Sequence, residues 1–142
     1  MAGPSFLTPK PVLPSKSTRR FTVAEANRTL PLVRRIVADI VKHYQAAMGL
    51  KAKVSEAEGK ELAAAQAAIE READTLQGYV DELTSVGCQL KDYQIGLIDF
   101  VGRHRGRDVC LCWKLGDERI GYWHEMNSGY AGRQPISTLV ET

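Results

Sequence analysis

Residues 96–125 read GLIDFVGRHRGRDVCLCWKLGDERIGYWHE, in which apolar and polar side chains alternate along three short runs. A period of two residues is typical of β-strands that bury one face. We therefore predict three antiparallel strands, at Leu97–Val101, Val109–Leu115 and Glu118–His124. Gly116 and Asp117 stand between the second and third strands and predict a two-residue hairpin turn, which would fix their register.

That turn assigns the side chains of the sheet to two faces. It pairs Val109 with His124 on the face that forms the core, and it places Cys110 and Cys112 on the opposite face. His124 then points away from both cysteines. A shift of the register by one residue would exchange the two faces entirely.

Two helices are predicted before the sheet. Thr22 and Glu25 form a capping box, and apolar residues then recur at spacings of three and four over about residues 22–48 and 52–86. Pro31 predicts a kink or a short lead-in turn in the first helix. The fold class is therefore α+β, an antiparallel helical hairpin followed by a small three-stranded antiparallel sheet.

The chain is predicted to form one domain behind a tail. With 142 residues, 44% hydrophobic and 25% charged, it has the composition of an ordinary globular protein, and its net charge of +2 does not indicate a nucleic-acid or membrane partner. Residues 1–20 hold four prolines and four basic residues without an acid, which predicts a disordered basic tail. Residues 21–142 then form the single domain, which ends in a loop over 126–142. We expect a cytoplasmic protein, because neither a membrane span nor a signal peptide is recognisable.

Several of these segments together resemble a known family. They are Gly96–Phe100, Leu111–Trp113, Gly116, Glu118, Tyr122–Glu125, Gly129, Gly132, Arg133 and Pro135, and the run FTVAEANRTLPLV opens the first helix. The pattern is similar to a prokaryotic family known as domain of unknown function 2203, over residues 21 to about 137. That family has no established activity, so the resemblance implies relatives and does not imply a function.

A group of polar and aromatic residues in and beside the sheet forms a candidate ligand site: Asp99, Cys112, Glu118, Trp123, His124 and Arg133. A histidine beside carboxylates and an arginine suits acid–base chemistry or anion binding. Asp99 interrupts an apolar strand and requires a partner, which Arg133 or a backbone amide could supply. The alternative is a satisfied buried pair that fixes the C-terminal segment onto the sheet. If Asp99 is functional, Cys112 and Trp123 are expected beside it.

Cys110, Cys112 and His124 are the candidate metal ligands. They lack the CxxC or HxxxH spacing of common zinc sites, so the sequence indicates no firm metal and no cofactor. Two residues apart on one strand, Cys110 and Cys112 are poorly placed for a disulfide. The alternative is that these cysteines are small buried hydrophobic residues.

A basic loop between the first two strands is the candidate nucleic-acid contact. Arg103, Arg105 and Arg107 stand near the tip of that hairpin, and arginine suits phosphate geometry. No aromatic residue is interleaved to stack on bases, and solvated Arg–Gly turns of this kind are frequent.

Three functions follow from these features. The first is a non-enzymatic binding or assembly module, which could form a homo-oligomer through its helix faces or bind an unidentified protein or small molecule. The second is a small-ligand or metal site on the sheet, which could support an enzymatic activity. The third is association with RNA through the basic hairpin loop. No membrane partner is expected.

Overall fold

The computed structural model describes residues 13–141, in which two long helices precede one antiparallel sheet. The helices are α1 (Val23–Val54) and α2 (Gly59–Val86), and the strands are β1 (Cys88–Asp92), β2 (Leu97–His104), β3 (Arg107–Lys114), β4 (Tyr122–Glu125) and β5 (Gln134–Pro135). The strands are hydrogen-bonded in chain order, and each neighbouring pair is antiparallel. The predicted α+β fold, a helical hairpin followed by a small antiparallel sheet, is confirmed. Within the described residues no helix is long and apolar enough to cross a membrane.

The sheet has five strands, whereas the sequence predicted three. β1 begins at the residue directly after Gly87, so no loop separates it from α2. β5 contains only two residues and lies in the segment that was predicted to be a loop over 126–142. Both are edge strands, and such short segments show little of the alternating pattern by which strands are recognised.

The predicted start of α1 is confirmed, and its end is corrected. Thr22 Oγ1 accepts a hydrogen bond from the backbone N–H of Glu25, and the Glu25 carboxylate accepts one from Thr22 N–H, which completes the capping box. The helix continues through Pro31 without interruption, so no lead-in turn forms. It ends at Val54 and not near residue 48, because a single glycine inside a helix costs only about 1 kcal/mol and strong helix formers follow Gly49.

The two helices cover one face of the sheet with their apolar sides. α2 ends as predicted at Gly87, whose φ of 114° is the left-handed conformation that glycine adopts without strain. The core joins fully buried residues of both helices to fully buried residues of the sheet, namely Val33, Val37, Ile40, Leu76, Leu83, Ile98, Phe100, Leu111 and Trp113. The predicted apolar stripes therefore form the hydrophobic core.

The predicted register between β3 and β4 is wrong by one residue. The structure pairs Leu111 with Trp123 and Cys110 with His124, because residues 115–121 connect the strands in place of a two-residue turn. Trp123 consequently joins the core, and His124 moves to the opposite face. We call this opposite face the second face of the sheet. Its residues in β2, β3 and β4 include Asp99, Cys110, Cys112, Tyr122 and His124.

The predicted basic tail is only partly within the described chain. Residues 1–12 lie outside the described residues. Residues 13–20 include a turn in which Thr18 N–H bonds to the Ser15 carbonyl, followed by Arg20, whose guanidinium forms two hydrogen bonds with the Asp108 carboxylate. This last part of the predicted tail is therefore held against the start of β3.

Candidate metal centre

Three neighbouring strands bring one metal-binding side chain each to the second face. β2 supplies Asp99, β3 supplies Cys110 and β4 supplies His124, which is the direct partner of Cys110 in the register. A carboxylate oxygen of Asp99, the Cys110 sulfur and a ring nitrogen of His124 all lie within 4.8 Å of one another. The three residues are 5%, 5% and 4% exposed. A small cation between them would therefore be shielded from water on several sides.

The His124 ring is oriented by two contacts with oxygen acceptors. Nδ1 lies 2.8 Å from the carbonyl oxygen of Glu125, and since a carbonyl can only accept, Nδ1 carries a proton. Nε2 lies 3.2 Å from Asp99 Oδ2 and faces the cluster. Metal-binding histidines in proteins commonly donate one ring N–H to a carbonyl and direct the other nitrogen at the metal. His124 already has this arrangement.

Asp99 has one carboxylate oxygen that the surrounding protein leaves unsatisfied. Oδ2 contacts His124, but Oδ1 is buried and has no hydrogen-bond partner among residues 13–141. The neighbouring Cys110 thiol donates a hydrogen bond to Met126 Sδ at 3.5 Å, and its interaction with the Asp99 carboxylate contributes to the raised pKa of the thiol. Leaving a buried acceptor without a hydrogen-bond partner costs about 1–3 kcal/mol, and more when the group is charged. An unsatisfied buried oxygen of this kind requires an explanation, and an absent ion is one.

Burial and charge set the protonation of the cluster in the absence of metal. Burial, and then the nearby charge of Asp99, raise the pKa of the Cys110 thiol to about 12, so the sulfur is protonated at neutral pH. Burial lowers the pKa of His124, but the hydrogen bond and charge of Asp99 outweigh it, and the pKa of His124 is raised overall. When His124 is protonated, the cluster contains an imidazolium–carboxylate pair beside a neutral thiol.

A divalent cation would replace two protons in this cluster. The metal-bound forms of cysteine and histidine are the thiolate and the neutral imidazole, so binding would release one proton from Cys110 and one from His124. The ion brings two positive charges and the two released protons remove two, so the net charge of the buried site does not change. Metal binding thus avoids the cost of adding net charge to a region of low dielectric.

The chemical types of the three ligands indicate which metal ion the cluster would bind. One thiolate, one imidazole and one carboxylate match the ligands of Zn²⁺, whereas Mg²⁺ and Ca²⁺ prefer oxygen donors alone. Cys112 does not belong to the cluster of three, although it is paired with Asp99 in the register. Three protein ligands leave the fourth tetrahedral position open, as in zinc sites that bind water or a substrate.

Arg133, one of the two partners considered for Asp99, does not pair with it. Its guanidinium carbon lies 4.1 Å from the ring centroids of both Tyr122 and Tyr130, and Tyr122 is the register partner of Cys112. Asp99 is paired with His124 instead. The expectation that Cys112 lies beside Asp99 agrees with the register, in which the two are direct partners.

Two predicted site residues lie elsewhere. Trp123 belongs to the core face, where it stacks on His104 at a centroid distance of 4.4 Å and donates its indole N–H to Thr138. The side chain of Glu118 is in the exposed β3–β4 connection. Neither residue reaches the metal centre, because the one-residue register shift moved Trp123 to the core face and the longer connection took Glu118 out of the strand.

The loop arginines are exposed, but two of them already have acidic partners. Arg107 forms a bidentate pair with Glu125, and Arg103 lies 3.9 Å from Asp108. Arg105 occupies the tight turn between β2 and β3 with a φ of 50°. A phosphate would have to compete with these carboxylates for Arg103 and Arg107. RNA binding by this loop stays a prediction.

Sequence reasoning named Asp99, Cys110 and His124 but did not place them together. Ile120, which is apolar and 1% exposed, fits the core face of the predicted strand as well as the observed β3–β4 connection, so it did not distinguish the two registers. Met126 and Tyr130, which contact the site residues Cys110 and Arg133, were not identified from sequence.

Comparison with known proteins shows the family of this chain. Residues 19–136 match the model of a family described as uncharacterized conserved protein, DUF2203, and the chain belongs to that family. No curated protein and no solved structure matches the chain significantly.

Proposed function

We propose that this member of the DUF2203 family binds one divalent transition-metal ion, with Zn²⁺ as the best match, through Asp99, Cys110 and His124. The observation that carries the proposal is the meeting of three different metal-binding groups within 4.8 Å on three adjacent, buried strands. Ordinary packing does not require a carboxylate, a thiol and an imidazole at one point.

Two further features support this function. The Glu125 carbonyl holds the His124 ring with Nε2 toward the cluster, and Asp99 Oδ1 has no hydrogen-bond partner within residues 13–141. A structural ion pair between Asp99 and His124 alone would explain the orientation of the ring but would leave Asp99 Oδ1 without a partner among the described residues. A metal ion would use all three groups.

Native mass spectrometry of protein purified without chelator tests the proposal. We expect a mass increase equal to one zinc ion per chain, which disappears after chelation and returns after zinc is added. Cys110→Ser should abolish this stoichiometric increase, because a serine hydroxyl is a poor ligand in place of a thiolate. Cys88→Ser is the matched control, since Cys88 is 1% exposed and also unbridged but faces the core.

Two results would contradict the metal centre. One is a folded wild-type protein that takes up no stoichiometric zinc, cobalt or other divalent transition metal after reduction of its thiols. The other is equal metal retention by Cys110→Ser and the wild type. Loss of metal in both cysteine variants would also contradict the assignment to Cys110, provided that circular dichroism shows both to be folded.

The other functions inferred from sequence stay predictions. A non-enzymatic assembly module is supported by an open groove of about 550 Å³ where the helices meet, lined by Leu50, Ala57, Ala64, Ala65 and Ala68 among others. Light scattering at high concentration tests it, and monomeric behaviour would count against it. Cytoplasmic location is supported by three free cysteines, since disulfides are rare in reducing compartments.

A further inference from the structure

We propose that the metal centre and Arg133 together bind an oxyanion, such as a carboxylate or phosphate group of a small molecule. This inference rests on the proposed metal-binding function and adds the class of ligand. The metal would contact one oxygen of the anion through its open position, and the Arg133 guanidinium would bind another.

The position of Arg133 supports this arrangement. Arg133 directly precedes β5, whose first residue, Gln134, is paired with Trp123 of β4. The Arg133 guanidinium lies over the ring of Tyr122, which is the register partner of Cys112, and Cys112 is in turn the partner of Asp99. Arg133 is half-buried.

The two tyrosines hold the guanidinium in a way that leaves its donors available. Tyr122 and Tyr130 each lie 4.1 Å from it, and they occupy positions suited to cation–π contact with the planar group. The N–H donors of arginine point outward in the plane of that group, where aromatic contacts do not use them. Gly129, with a φ of 65°, directly precedes the 3-10 turn that carries Tyr130.

Arg133 has no carboxylate partner, unlike two other arginines of the described chain. Arg20 and Arg107 form bidentate pairs with carboxylates, but no carboxylate of residues 13–141 lies within 4.0 Å of Arg133. With zinc neutralised by one thiolate and one carboxylate, the Arg133 guanidinium leaves the site positive.

A positive, partly exposed site with one metal position and one arginine fork suits an oxyanion. Arginine binds carboxylate and phosphate through two parallel N–H···O bonds, and a metal ion binds their oxygens directly. A neutral or cationic ligand would gain no electrostatic attraction from the metal ion or from the Arg133 guanidinium. The charges of the site therefore indicate that the ligand is an anion.

Cobalt-loaded protein provides the test, because the visible spectrum of Co²⁺ changes when a ligand enters its coordination shell. Inorganic phosphate and acetate are titrated separately into the wild type, Arg133→Met, Arg133→Lys and the control Arg119→Met, an exposed arginine of the β3–β4 connection. We expect a saturable spectral change with at least one anion. Its dissociation constant should rise about tenfold or more in Arg133→Met, since hydrogen bonds to charged groups contribute about 1.5–3 kcal/mol. Arg119→Met should bind like the wild type.

The outcomes distinguish a failure of the oxyanion proposal from a failure of the metal-binding proposal. If phosphate alone binds tightly, the ligand carries a phosphate group, and if acetate alone does, it carries a carboxylate. A cobalt spectrum that neither anion changes, or that changes equally in Arg133→Met and the wild type, would overturn the oxyanion inference and leave the metal centre standing. Absence of any thiolate–cobalt absorption in the folded wild type would overturn the metal centre, and the inference with it. Arg133→Lys keeps the charge without the fork and should show intermediate affinity, which guards against a folding defect in Arg133→Met.

Discussion

Asp99 is a charged group in a strand whose neighbours are almost all buried and apolar. Its carboxylate is tolerated because the His124 imidazolium neutralises it, although removing water from both charges offsets much of their attraction. Replacing such a pair by apolar residues of similar volume is often neutral or stabilising. We therefore expect this pair, together with the adjacent thiol, to contribute to metal binding more than to fold stability.

The pH dependence of stability reports on this pair in the metal-free protein. Because the pKa of His124 is raised on folding, the pair's contribution is fully present below about pH 6.5, the unfolded value, and is lost as pH rises through the folded pKa. Asp99→Asn removes the main interactions that raise that pKa. We expect the difference in unfolding free energy between wild type and Asp99→Asn to be larger at about pH 6 than at pH values above the folded pKa.

Urea denaturation in the presence of chelator measures this difference. NMR titration of the His124 ring in the same two proteins is the internal check, and its pKa should be lower in Asp99→Asn, where burial acts unopposed by the carboxylate. A His124 titration that is unchanged by the substitution would contradict the direct pairing of the two side chains.

At the residue scale the sequence could identify the chemistry but not the geometry. Asp99 was recognisable because a carboxylate in an apolar strand needs a partner, and the cysteines were recognisable by type. The identity of the partner depended on which way His124 points. In a strand that direction reverses with a shift of one residue, so a small error in register removed His124 from the site.

The connection between β3 and β4 is the element that determines this register. Asp117 stabilises it, since its backbone N–H bonds to the Lys114 carbonyl and its carboxylate accepts from Lys114 N–H at 3.1 Å. The Trp113 indole donates to the Asp117 carbonyl, and Asn27 of α1 accepts from Ile120 N–H. These bonds to the core and to a helix distant in sequence favour a long connection over the hairpin turn that Gly116 and Asp117 suggested.

The helices could be predicted because the sequence signals for each helix lie within that helix. A capping box and apolar residues spaced by three and four arise within one segment, and they require no knowledge of the remaining chain. β1 and β5 were not predictable in the same way. Each is an edge strand defined by its pairing with one neighbour, and that pairing is set by the assembled sheet.

Substitution of Thr22, the N-cap residue of α1, tests whether the capping box stabilises the helix. Thr22→Ala should lower the free energy of unfolding by about 1 kcal/mol, because the Glu25 N–H at the helix start loses its acceptor. Thr75→Ala, an exposed position inside α2, is the matched control and should not destabilise, since alanine is the better helix former. Urea denaturation gives both values, and equal effects of the two changes would contradict the role of the cap.

Across the whole molecule, the metal centre joins strands that are distant along the chain. Asp99, Cys110 and His124 come from β2, β3 and β4, so a bound ion would connect three of the five strands. The unfolded chain does not hold these groups together, and metal binding would therefore stabilise the folded state.

Thermal denaturation should show this coupling directly. At a free zinc concentration about a thousand times the dissociation constant, binding adds about 4 kcal/mol, which raises Tm by about 10 °C for a chain of this size. Chelator should reverse the increase. Cys88→Ser should respond to zinc and Cys110→Ser should not, and an equal shift in both variants would indicate binding at another position.

X-ray diffraction from zinc-loaded crystals, recorded on both sides of the zinc absorption edge, tests the central claim most directly. The account predicts one strong anomalous peak on the second face, about 2.0–2.3 Å from an Asp99 carboxylate oxygen, Cys110 Sγ and His124 Nε2. No peak at these residues, or the main peak at another pair such as His43 and Glu72 on the helices, would contradict it.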